Sequence, residues 1–265
     1  MKHARILLNH APERGPLHAV EDEGALRLDD GQRVPFEAVR WLPPLAPVPR
    51  ARSILALGLN YADHAKELEF KAPEEPLVFI KGEASLIGHR EHTVRPAGVG
   101  YMHYECELAV VIGKTAHRVS RDQALEHVAG YTVCNDYAIR DYLENWYRPN
   151  LRVKNRDGAT VLGPWLVDAA AVPDPHQLAL RTTVNGQLTQ QGHTRDLIHN
   201  VPELIEYLSS FMTLQAGDVI LTGTPEGVVN VKAGDEVVTE IDGIGRLVNT
   251  LVGDAAFNTP AGSTP

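Results

Sequence analysis

The chain has 265 residues, 43% of them hydrophobic and 22% charged, with a formal net charge of −9. That composition belongs to a soluble globular protein with a sizeable core, and the acidic balance without any basic block excludes a surface built for nucleic acid. No run approaches the roughly 18 apolar residues of a membrane span. The start MKHARILLNHAPERG lacks a signal-peptide core, and Cys106 and Cys134 sit in apolar segments without metal-site spacing, so a cytoplasmic location with free thiols is expected.

Residues 1–42 alternate short apolar pieces with EDEG and DDGQ, which predicts a small β meander with tight turns. LPPLAPVP then forms a stiff, extended connector. A boundary near residue 50 follows, separating a small N-terminal β domain (residues 1–50, connector included) from a catalytic-sized domain (residues 51–265).

SILALGLN predicts a buried strand, and YADHAKEL a short helix from Tyr61 to Leu68 with Asn60 as its cap. PLVFIKG predicts a strand ending on Lys81, and HYECELAVVIG another. SRDQALEHVAGY predicts an amphipathic helix capped by Ser120, and TVCNDYAIRD a strand running into a turn or helix start. LALRTTVNGQLTQQG is a hairpin with an Asn-Gly turn. VPELIEYLSSFM is a helix with Pro202 in its first turn, and the segments from GDVILTGTPEGV to GRLVNTLV are strands separated by Gly-Asp turns. The expected class is α+β, mainly β, with a rolled or barrel-like mixed sheet.

Side chains two apart in a strand share a face, so His103, Glu105 and Glu107 point one way. Buried carboxylates so close together need a positive partner, and a hard divalent cation with oxygen ligands fits. A half-exposed strand with solvated carboxylates is the competing reading. Asp136 adds a carboxylate at a strand end, with Arg140 four residues on; an exposed ion pair would look the same. His64 and Glu67 have the helical spacing that lets a carboxylate orient an imidazole for proton transfer, although many surface pairs share it. Lys81 and Lys154 can neutralise substrate carboxylates, or can be solvated. LTGTPEGV lacks the lysine and spacing of a phosphate loop; Thr224 and its neighbouring amides either meet a substrate carboxylate or form a plain turn.

GLNYADHAKEL, PLVFIKG, YECELAVVIG, GYTVCNDYAIRD, RVKNRDG and LTGTPEGV, in this order, resemble the successive signatures of the fumarylacetoacetate hydrolase superfamily over about residues 51–252. NYADHAKELEFKAPEEPLVFIK and GYTVCNDYAIRDYLENWYRPNLRVK are similar to one branch in particular, the C-terminal half of bifunctional decarboxylase/isomerases of homoprotocatechuate (4-hydroxyphenylacetate) degradation. The resemblance implies a mixed β-sandwich roll and an Mg²⁺ or Mn²⁺ held by Glu105, Glu107 and Asp136. It implies a catalytic His64–Glu67 pair with Lys154, and substrate contacts from Lys81, Arg140 and Thr224. It also implies a small oxo-acid substrate and a homodimer or larger homo-oligomer. The branch carries two catalytic copies in tandem and this chain one, so a paralogous subunit is an alternative partner.

The expected chemistry is decarboxylation of 5-oxopent-3-ene-1,2,5-tricarboxylate, isomerisation of 2-hydroxyhepta-2,4-diene-1,7-dioate, or both, through an enolate whose charge the cation holds. Hydrolytic C–C cleavage of an acylpyruvate and oxaloacetate decarboxylation are the enzymatic rivals. A structural module with a fully protein-ligated cation is the non-enzymatic one.

Overall fold

The computed structural model describes residues 1–67, 73–143 and 150–254, with the side chains of residues 65–67 outside that description. The leader forms β1 (Lys2–Leu8), β2 (Leu17–Asp22), β3 (Ala25–Leu28), β4 (Arg33–Val34) and β5 (Val39–Leu42). Next come β6 (Ile54–Gly58), α1 (Ala62–Glu67), β7 (Leu77–Lys81), β8 (Leu86–Ile87) and β9 (His92–Arg95). The middle of the chain supplies β10 (Met102–His103), β11 (Cys106–Ile112), β12 (Val128–Asp136), β13 (Ala138–Ile139), α2 (Leu151–Lys154) and β14 (Thr160–Asp168). The last part adds β15 (Ala179–Val184), β16 (Gln187–His193), α3 (Val201–Phe211), β17 (Val219–Leu221), β18 (Glu236–Ile241) and β19 (Gly245–Gly253).

Twelve strands make one mixed sheet in the order β4-β3-β2-β1-β14-β12-β11-β17-β6-β7, with β5 also on β1 and β8 on β14. The leader joins it through β1, where Lys2 and His3 pair with Val167 and Leu166 of β14. A five-stranded sheet, β16-β15-β18-β19-β9, packs against β11, β12 and β14. This is the mainly β, sandwich-like roll that the sequence predicts.

The centre of the large sheet is covered on both sides, which explains why β11 reads as an almost unbroken apolar run. Leu108, Val110 and Ile112 enter the main core with Leu180, Ile241 and Leu251 of the second sheet. Ala109 and Val111 face the other way, into a smaller cluster with Ile54, Phe79, Cys134 and Leu221. Glu107 shares that second face by strand alternation.

Local sequence explains the flanking elements. Asn185 (φ 50°) and Gly186 (φ 79°) adopt the left-handed pair that a two-residue hairpin turn requires. In α3 the Asn200 side chain accepts from the Glu203 N–H at 3.0 Å while Glu203 accepts from the Asn200 N–H at 3.1 Å, a reciprocal cap around Pro202.

Two expectations fail. The segment from Ser120 forms only a 3-10 turn, Ala124–His127, before β12 begins at Val128. Val128 to Tyr131 are claimed by pairing with β11 on one side and β14 on the other, which outweighs the helical pattern of SRDQALEH. Asn60 does not act as the cap of α1: its amide donates to the carbonyls of His199 (3.0 Å) and Thr222 (2.8 Å) and accepts from the His199 N–H (2.8 Å). It thereby ties the start of α1 to the Thr222–Thr224 turn and to the lead-in of α3. Leu68, the expected end of α1, lies outside the described residues.

Candidate active site

The β11–β12 pairing builds the site. Cys106 lies opposite Asn135 and Glu107 opposite Cys134, and one step further the Asp136 N–H donates to the Glu105 carbonyl at 2.9 Å. Residues opposite each other in an antiparallel pair share a face, so Glu105, Glu107 and Asp136 emerge together. One carboxylate oxygen from each lies within 4.8 Å of the others, and all three residues are buried. The solvated-strand reading does not hold.

Lys154, from the short α2, donates to Glu105 and, at 2.9 Å, to Asp136. Lys81 donates to the other oxygen of Asp136, is fully buried, and does not line the adjoining cavity. Burial alone would depress the Lys154 ammonium, but Asp136, Glu105 and Glu107 together raise it above its ordinary value. Burial would likewise raise the Glu105 carboxyl, yet Lys154, His64 and Arg140 hold it below the usual range. Glu107 goes the other way: burial, then the nearby Asp136 and Glu105, push it well above. Its Oε2 accepts from the Gly223 N–H at 2.7 Å, while its Oε1 is buried without a hydrogen-bond partner among the described residues.

A buried carboxylate oxygen with no donor is a costly arrangement. Three converging carboxylates with one such oxygen fit a divalent cation, and a set made only of oxygens suits Mg²⁺ or Mn²⁺ better than a thiophilic metal. Glu105, Glu107 and Asp136 would hold it.

Beside the cluster lies a cavity whose lining includes Glu105, Lys154, Arg140, His64, His103 and Thr224, with Leu57, Phe79 and Val153 as apolar wall. His64 is buried there, close enough to Glu105 to affect its charge. The side chain of Glu67, its expected partner, lies outside the described residues. Thr224 Oγ1 accepts from Gln190 Nε2 at 2.8 Å, which leaves the threonine's own O–H to donate elsewhere. Arg140 begins a 3-10 turn, and its Nε donates to His103 Nε2 at 2.9 Å rather than pairing with Asp136.

Sequence reasoning gave no role to His103 and missed Gln190; it assigned the amides beside Thr224 to a substrate carboxylate, whereas the Gly223 N–H donates to Glu107. His103 had a signal, since it shares the strand alternation of Glu105 and Glu107. Gln190 contributes through a pairing distant in sequence and had none.

Residues 53–252 match the family described as fumarylacetoacetate (FAA) hydrolase, C-terminal. The chain belongs to the fumarylacetoacetate hydrolase family. Over 212 residues, 80% of this chain, it is 63% identical to the 4-hydroxyphenylacetate degradation bifunctional isomerase/decarboxylase of Salmonella dublin, covering 49% of that protein. The chain thus spans about half the length of that relative. Its fold matches 5-carboxymethyl-2-hydroxymuconate delta-isomerase from Mycobacterium smegmatis with a TM-score of 0.81 at 37% identity, over 96% of this chain and 99% of that one. Fumarylpyruvate hydrolase from Pseudomonas aeruginosa, solved with Mn²⁺ and pyruvate, matches with a TM-score of 0.71 at 32% identity, over 79% of this chain and 94% of that one. Among the described residues, no helix is long and apolar enough to cross a membrane.

Proposed function

We propose that this chain is a divalent-metal-dependent decarboxylase, isomerase, or both, acting on 2-oxo and 2-hydroxy-dienoic di- and tricarboxylates in aromatic catabolism. The substrates meant are 5-oxopent-3-ene-1,2,5-tricarboxylate and 2-hydroxyhepta-2,4-diene-1,7-dioate. One observation carries this reading: the three-carboxylate cluster, with its unpartnered Glu107 oxygen, borders a cavity lined by Lys154, Arg140, His64 and Thr224. The printed names of the isomerase/decarboxylase and isomerase relatives support the choice of substrate class.

A bound Mg²⁺ or Mn²⁺ would supply Lewis-acid stabilisation of the negative charge left when CO₂ or a proton departs. Lys154, already on Glu105 and Asp136, orients the 2-oxo acid end of the substrate at the cluster. The Thr224 hydroxyl donates to a substrate oxygen. Leu57, Phe79 and Val153 pack on the unsaturated chain and limit water. In decarboxylation the electrons of the breaking C–C bond spread into the conjugated 2-oxo acid. His64 then moves a proton between oxygen and carbon. Isomerisation uses the same proton transfer without loss of CO₂, so one cavity serves both reactions. A homodimer or larger assembly, or a paralogous subunit, and a cytoplasmic location belong to this same proposal.

Hydrolysis of an acylpyruvate is the second reading, favoured by the likeness to a fumarylpyruvate hydrolase holding Mn²⁺ and pyruvate. Supplying the tricarboxylate and the dienedioate separately, with and without Mg²⁺, separates the two. Loss of ultraviolet absorbance with CO₂ release from the tricarboxylate, or ketonisation of the dienedioate, supports the proposal. Turnover only of acylpyruvates, giving two acids and no CO₂, overturns it.

A further inference from the structure

We propose that His103 is a positioning residue that turns Arg140 into a clamp for a second, distal carboxylate of the substrate; this rests on reading the cavity as an oxo-acid site. The backbone around the pair is locked first. Met102 and His103 pair with Ile139 and Ala138, and the Arg140 N–H donates to the Tyr101 carbonyl at 3.0 Å. Asp141 accepts from the N–H groups of Gly100 (2.6 Å) and Tyr101 (2.8 Å), closing the turn that carries Arg140.

The imidazole itself has one allowed arrangement. His103 Nδ1 lies 3.1 Å from the Tyr104 carbonyl, which can only accept, so Nδ1 carries the proton. Nε2 is therefore the acceptor for Arg140 Nε, and the ring is neutral. Tyr101 packs edge-on against the ring at 5.9 Å between centroids, limiting its rotation.

A guanidinium fixed through Nε has its two terminal nitrogens left, and these are the pair that grips a carboxylate in a bidentate fork. Among the described residues no carboxylate lies within ion-pair distance of Arg140. Lys154 bonds Glu105 and Asp136 directly, whereas Arg140 lines the same cavity without an ion pair to the cluster. The arginine therefore stands one step out from the end that receives the 2-oxo acid, where the far carboxylate of a longer diacid arrives. A His103 acceptor fixes which way the fork faces; without it Arg140 keeps its charge and loses its aim.

The test compares binding of 2-oxoadipate, which has a distal carboxylate, with binding of pyruvate, which has none, by calorimetry on the Mg²⁺-loaded protein. Wild-type protein should prefer 2-oxoadipate. His103→Leu removes the acceptor and should cut the ratio of the two affinities about tenfold, the size of a lost hydrogen bond to a charged group. His103→Gln places a carbonyl oxygen at about the reach of Nε2 and should restore most of the ratio, which a merely structural role would not do. An unchanged ratio in His103→Leu, an equal loss for both ligands, or no rescue by glutamine overturns the proposal. Wild-type protein that shows the preference yet turns over neither dienoic substrate leaves the clamp standing and overturns the reaction proposed above.

Discussion

Glu105 and Asp136 are joined twice: through the backbone, where the Asp136 N–H meets the Glu105 carbonyl at 2.9 Å, and through Lys154, whose ammonium bonds both carboxylates. Replacing Lys154 by Met keeps the volume but leaves the buried Glu105 carboxylate without its ammonium, while Asp136 keeps Lys81. Removing one partner of such a group costs about 3–5 kcal/mol. Urea unfolding of metal-free Lys154→Met should show that loss, and saturating Mg²⁺ should recover part of it. Equal stability of variant and wild type would contradict the bridging role.

Glu107→Gln should separate cation binding from folding. An amide keeps an oxygen for the Gly223 N–H and removes a carboxylate that burial and its acidic neighbours disfavour. Metal-free variant should melt no lower than wild type. Mg²⁺ at a hundred times its dissociation constant should stabilise wild type by about 2.7 kcal/mol and the variant far less. A melting shift of the same size in both would sink the assignment of Glu107 as a ligand, and so would full metal-dependent turnover in the variant.

Thr224→Val should act on substrate affinity, because Gln190 already fills the acceptor side of the hydroxyl and only its O–H is left to donate. A lost hydrogen bond to a charged acceptor is worth about 1.5 kcal/mol, so KM should rise about tenfold with kcat less affected. Thr224→Ser should behave like wild type. Steady-state kinetics on both variants check this.

His89 gives the protein a predictable acid sensitivity away from the site. Its Nδ1 accepts from the Val248 N–H at 3.0 Å, so the ring is neutral; burial, then Arg90 and Arg246, lower its pKa from 6.5 to about 3. Below 6.5 the unfolded chain binds a proton that the folded chain refuses until about 3, so this stability is intact above 6.5 and declines through that window. Between about pH 7.5 and about pH 5 the decline is about 2 kcal/mol. His89→Gln, which retains an acceptor, should lose that share of the slope in urea titrations at the two pH values. An unaltered slope would rule His89 out as its source.

Gly130→Ala probes why the segment after Ser120 is strand rather than helix. A methyl group there would lie 2.3 Å from the Val167 carbonyl oxygen, because β12 and β14 approach closely at this point. Alanine, the better helix former, should destabilise by about 1–3 kcal/mol in thermal or urea unfolding. A stabilised variant would show that the close approach does not constrain this position.

Period-two alternation was enough to align Glu105 with Glu107, and the end of an apolar run was enough to single out Asp136. Their meeting was not legible in the pattern, because it depends on pairing strands separated by the whole Gly113–His127 connection. The resemblance to a family brought these residues together before any geometry did. The Asn185-Gly186 turn and the helix α3 with Pro202 in its first turn were readable because each is decided within a few residues. Val128 to Tyr131 were misread because β12 draws its stability from two neighbours on the sheet. Lys81 was placed among substrate contacts, and nothing local could reveal that its ammonium is tied to Asp136 beneath the cavity.

The register shift in β11–β12 falls between Val111 and Ile112, at the end remote from the carboxylates. Up to that point each residue has one partner, and adding or deleting a single residue there would turn Glu105 and Glu107 to the opposite face of the sheet. Beyond it, the bulge around Ala129 already absorbs an extra residue. Changes in chain length should therefore be tolerated toward the Gly113–His127 side and be ruinous between Glu105 and Val111, even where every acidic residue is kept. The centre is encoded in spacing as much as in chemistry.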